Sequence, residues 1–154
     1  MLSYTEGMAR TILNALAGGA AGALTLTARH EILKHVSAEA PRLDRLGQEA
    51  VQKATSWIGI RPGKKALYRS ALAGDVVANT GYYSLAAAGG RKHALWLGTI
   101  LGLAAGMGAV LLPGPLGMNE RNTKRTPDTI ALTLFLYTAS GLAAASIFRK
   151  LESA

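Results

Sequence analysis

The chain has 154 residues, no cysteine, and a formal charge of +8 from 17 lysines and arginines against 9 acids. Its length suits one domain, and the lack of cysteine excludes disulfides, thiolate metal ligands and thiol redox chemistry. Charge crowds into 29–69, 91–93, 120–128 and the last positions, leaving 11–28, 94–112 and 129–148 free of it.

Runs of that length cross a hydrocarbon core of roughly 30 Å as helices. They lack the charged face that a surface helix of a soluble protein carries. Hydropathy therefore predicts an all-α fold, a single domain over 1–154. It is an integral membrane bundle of four transmembrane helices with one amphipathic interfacial helix between the first and second.

The first span is expected over about 11–33. Gly18 and Gly22 lie four apart on it, the spacing that lets helix backbones approach closely. Its stretch GGAAGALTLTARH, 18–30, resembles the opening helix of small bacterial fluoride channels, where paired glycines precede an arginine. The resemblance ends there: the phenylalanine-rich and Thr/Ser-rich pore segments of that family have no counterpart, so it implies no assignment. Beyond it, His30, Glu31 and His35 approach the zinc pattern H-E-x-x-H but set the histidines five apart, about 140° from each other on a helix. Glu31 and His35, four apart, suit a surface pair.

Over 41–58, Leu43, Leu46, Ala50, Ala54, Trp57 and Ile58 share one face, with Arg42, Arg45, Gln48, Glu49, Gln52 and Lys53 on the other. That is the pattern of an interfacial helix with a tryptophan at headgroup level. Arg61, Lys64, Lys65 and Arg69 follow where the next span enters the bilayer, and they suit anionic lipid. The run GIRPGKK, 59–65, is one residue short of a phosphate-binding loop, lacks the hydroxyl after lysine and follows a helix, so that reading is rejected. Without interleaved aromatic residues, the basic charge does not suggest nucleic acid.

The second span, about 66–88, contains Asp75. Tyr68, Asp75, Asn79 and Tyr82 fall on one narrow stripe with Ala71 and Ala86. An aspartate at a helix centre disfavours insertion by roughly 2.5–3.5 kcal/mol, so Asp75 is expected to face protein or water. Its candidate partners are Arg29, His30 and Tyr137. Gly89-Gly90 closes a hairpin into the third span, about 93–112, where Gly98, Gly102 and Gly106 repeat the four-residue spacing. Pro113-Gly114-Pro115 stops it. The fourth span, about 127–150, begins with Thr126 as N-cap, Pro127 at the first helical position and Asp128 at the positive dipole end.

With four spans, Arg10, Arg91, Lys92, Arg149 and Lys150 share one side, and the other twelve of the 17 basic residues share the opposite one. The positive-inside rule then places both long connections in the cytoplasm and both termini outside, in a membrane of the bacterial inner-membrane type. No serine, histidine and carboxylate arrangement points to catalysis, so no enzyme activity, cofactor or metal is expected. The expected partners are the lipid bilayer and other transmembrane helices. The favoured role is an accessory or structural subunit acting by helix–helix association. A homo-oligomeric ion or proton channel or transporter using the Asp75–Asn79–Tyr82 column is the alternative, and a membrane-surface metal enzyme using His30, Glu31 and His35 comes third.

Overall fold

The computed structural model describes residues 2–153, with side chains from Thr5 onward. Six α-helices and one 3-10 turn make up the described regular structure: α1 (Leu2–Val36), α2 (Leu43–Trp57), α3 (Lys64–Ser84), the 3-10 turn (Leu85–Gly89), α4 (Gly90–Leu111), α5 (Arg121–Lys124) and α6 (Pro127–Leu151). Three helical stretches, Thr5–Val36, Lys64–Leu111 and Pro127–Leu151, are long and apolar enough to cross a membrane. They mark the chain as a membrane protein.

The middle stretch is not straight. Gly90 takes a φ of 64°, which a residue with a Cβ rarely adopts. Beyond it the chain doubles back, because the Tyr82 hydroxyl donates to the Leu101 carbonyl at 2.9 Å. A straight helix would hold those residues about 28 Å apart. The hairpin predicted at Gly89-Gly90 is therefore present, with the last four residues of the expected second span and Gly89 tightened into the 3-10 turn.

α6 is the central helix, packed on α4 along one side and on α1 along another, while α1 also carries α3. Glycine makes these seams possible. A Cβ on Gly102 would lie 2.5 Å from the Thr138 Cα and 2.6 Å from the Tyr137 carbonyl oxygen, and one on Gly98 would collide with the Gly141 carbonyl. Gly106 faces Leu134 in the same seam. On α1, Gly18 and Gly22 admit Ala144 and Ser140 of α6. The buried hydroxyls of Thr133 and Ser140 donate back to the Thr129 and Leu136 carbonyls of their own helix, both at 2.7 Å, so they enter the apolar seam satisfied.

All five glycines expected to carry helix association are thus buried within the chain. α6 lies opposite each of them.

Both long connections gather at one end of the bundle. Glu49 of α2 accepts from the Asn119 backbone N–H at 2.7 Å and from Asn122 Nδ2 at 2.9 Å, and the Arg42 N–H donates to the Asn122 carbonyl at 2.6 Å. At the opposite end, Asn14 Nδ2 donates to Glu152 at 2.8 Å. The N-cap of α6 forms as expected, with the Thr129 N–H donating to Thr126 Oγ1 at 3.2 Å. Two boundaries differ from the sequence reading. α1 begins at Leu2 rather than near 11, since nothing in 2–11 breaks a helix, and the short α5 lies in what was expected to be plain loop.

Glu39, between α1 and α2, ties this end together. Its carboxylate accepts from the Thr126 and Thr129 hydroxyls and pairs with Arg125 at 3.6 Å. The Thr126 hydroxyl first, then Thr129 and Arg125, hold it below the usual carboxylate range. A depressed acid contributes stability that is present above its unfolded pKa and lost as pH falls through its folded pKa. Acid titration of the purified protein should therefore loosen the Glu39–Thr126 junction below the ordinary carboxylate pKa. In Glu39→Gln that acid-dependent step, followed by hydrogen exchange at 126–130, should be absent.

Candidate functional site

Helices α1, α2 and α3 enclose a cavity of about 50 Å³, lined by residues that include Leu26, Thr27, His30, Asp44, Tyr68 and Asp75. Each wall has a local cause. α2 settles on α3 at Gly47, where an added Cβ would meet Ala71 at an ordinary 3.6 Å, so the docking does not depend on glycine. Ala71 is small and buried, and it keeps the floor between Tyr68 and Asp75 open. His30 is buried, with its Nε2 at 3.1 Å from the Pro41 carbonyl and 3.8 Å from Asp44 Oδ1.

Two carboxylates border this space, and neither meets a lysine or arginine. Asp75 Oδ1 accepts from Asn79 Nδ2 at 2.9 Å, and Asp75 makes no ion pair among the described residues. Asp44 Oδ1 is buried and has no hydrogen-bond partner. Glu31 also reaches the rim, but Lys34 and His35 engage it at 2.7 and 3.4 Å. Among the described residues no lysine or arginine lines the cavity. A wider hollow between α2 and the α4–α6 connection is open to solvent, and its one carboxylate, Glu49, is already held by Asn119 and Asn122.

The candidate partners of Asp75 separate. Arg29 lies exposed over the Phe135 ring of α6, 5.9 Å from its centroid, and does not pair with Asp75. One residue on, His30 is turned about 100° away and enters the cavity that Asp75 shares. Tyr137 offers its backbone instead, its carbonyl accepting from the Tyr83 hydroxyl at 3.0 Å.

The polar stripe on α3 also divides. Tyr68 and Asp75 face the cavity and Asn79 supports Asp75, whereas the Tyr82 hydroxyl is committed to α4. Among the described residues no group of three or more His, Asp or Glu side chains could hold a metal, and His35 points outward to Glu31 while His30 points in. Arg61, Lys64, Lys65 and Arg69 are all exposed around the start of α3.

Sequence reasoning found Asp75, His30 and Tyr68 but missed Asp44, Leu43 and Gly47. These lie on α2, and only its docking on α3 makes them a roof. In the sequence Asp44 carries just the signature of an acid in a first helical turn. No family model, curated protein or solved structure matches the chain.

Proposed function

We propose that the chain is a four-pass inner-membrane protein that takes a proton or small monovalent cation onto Asp75 from the side covered by α2. α3 and α4, with 21 and 22 residues, are each about 30 Å long and count as two crossings. α2, which has no fully buried residue, then lies at the cytoplasmic interface, with both termini outside.

The observation that carries this reading is Asp75, which has no ion-pair partner among the described residues, beside Asp44, faced only by His30 at 3.8 Å, around one small cavity. An ionisable group within a span is a functional site by default. Size narrows the ligand. A cavity of about 50 Å³ has room for about three waters, far below the roughly 300 Å³ at which organic-ligand pockets begin. Toward the opposite end, buried Tyr83 and Ala86 close the bundle, which supports entry from the side covered by α2.

A hydrophobic carbodiimide, which takes the proton of a carboxyl group in apolar surroundings and is then attacked at carbon by the carboxylate oxygen, tests this on the detergent-solubilised protein. Asp75 should be the intramembrane carboxyl modified, as mapped by mass spectrometry, and raised pH or added sodium should protect it. An inert Asp75, or labelling that neither treatment changes, would overturn the proposal.

The association reading retains one specific support. At the end where Asn14 meets Glu152, α1 runs on beyond α6 and exposes Met8, Ile12 and Leu13. Copurification of another membrane polypeptide that is lost in Ile12→Ser/Leu13→Ser would favour it.

A further inference from the structure

The connection from α2 to α3 carries a second feature, independent of the cavity. α2 ends in a glycine cap: Gly59 takes a φ of 75°, its N–H donates to the Ser56 carbonyl at 3.1 Å, and the Ile60 N–H donates to the Thr55 carbonyl at 2.9 Å. The cap fixes a knuckle from which Trp57, Ile58 and Ile60 project, 82%, 71% and 53% exposed. Arg61, Lys64, Lys65 and Arg69 follow, all exposed and with no ion pair among the described residues. Between Glu49 and Asp75 the sequence holds no acid to neutralise them.

We propose that the 57–69 knuckle binds acidic phospholipid, with Trp57, Ile58 and Ile60 entering the headgroup–acyl boundary and the four cations holding lipid phosphates. Three exposed apolar side chains beside four free cations match an anionic leaflet, which offers hydrocarbon and negative charge a few ångströms apart. The knuckle also sits where α3 starts, at the depth where a crossing helix meets headgroups. A nucleic acid would satisfy the cations but leave the apolar trio in water, and it would find one tryptophan rather than a stacking platform.

The full chain can be tested in nanodiscs of phosphatidylcholine with and without added phosphatidylglycerol. The chain has two tryptophans, so Trp96→Phe leaves Trp57 as the sole reporter. Its emission should be quenched by brominated acyl chains, more strongly in the acidic discs. The preference for spin-labelled phosphatidylglycerol over phosphatidylcholine should fall about fivefold for each knuckle cation changed to glutamine. Arg121→Gln, at the far side of α2, should leave it unchanged. Trp57 emission unquenched by bromolipid would overturn the proposal, whatever the folding of the glutamine variants. So would unchanged lipid preference in R61Q/K64Q/K65Q/R69Q, or a Trp57 shift with RNA and none with phosphatidylglycerol.

Discussion

Gly141→Val should destabilise the bundle by about 3 kcal/mol, the upper end of what overpacking costs. An added Cβ at Gly141 would run into the Gly98 carbonyl and lie 3.1 Å from the Gly102 nitrogen. These are backbone atoms on the facing helix, so no rotamer change relieves the collision, and α4 must move off α6. Gly102→Ala should repeat the effect at smaller size, against the Thr138 Cα. The control is Gly81→Ala on α3, where an added Cβ meets nothing within 4 Å. That substitution should stay within about 0.5 kcal/mol, as for an ordinary surface change. Thermal unfolding in one detergent, followed by far-ultraviolet circular dichroism, compares all three. Equal losses at Gly81 and Gly141 would mean that the α4–α6 seam does not depend on backbone contact.

How legible this fold was in the sequence depends on what each signal measures. The start of α6 was legible because Thr126, Pro127 and Asp128 act locally through one hydroxyl, one ring and one charge. The start of α1 was not, because charge-free runs report the bilayer's thickness rather than the end of the helix. Spacing placed Gly98, Gly102 and Gly106 on one face but could not name the facing helix, since the backbone at Gly141, Tyr137 and Thr138 meets them only when α6 is rotated toward them.

The choice among Arg29, His30 and Tyr137 stayed open in the sequence for the same reason. Depth along each helix was readable, whereas rotation about its axis is set by tertiary packing. Tyr82 shows a further limit. It shares a stripe with Asp75, yet near the Gly89-Gly90 turn α4 comes within reach and takes its hydroxyl.

Asp75→Leu should make the protein more stable and abolish its carbodiimide and cation response. As a segment entering the bilayer, α3 should gain about 3 kcal/mol, the swing from an aspartate to a leucine at mid-helix. In α3 the apolar return comes from a few residues such as Leu67, Leu72, Val76 and Val77, while glycine, asparagine and serine weaken it. One substitution therefore decides whether the segment inserts alone, which a glycosylation-site reporter reads directly.

The sign of the effect separates the two roles open to Asp75. If Asp75 held α1 to α3 through a buried ion pair, removing it would strand a charge and destabilise the folded protein by about 3–5 kcal/mol. In the structure its hydrogen-bond donor is Asn79 on its own helix, so its loss breaks no link between helices. Asn79 can then turn its amide to water in the cavity. Unfolding temperature and labelling should move in opposite directions in Asp75→Leu, the first rising and the second vanishing. An unstable Asp75→Leu bundle would identify the carboxylate as part of the scaffold and remove the reason to regard the α1–α2–α3 cavity as a place where a cation binds.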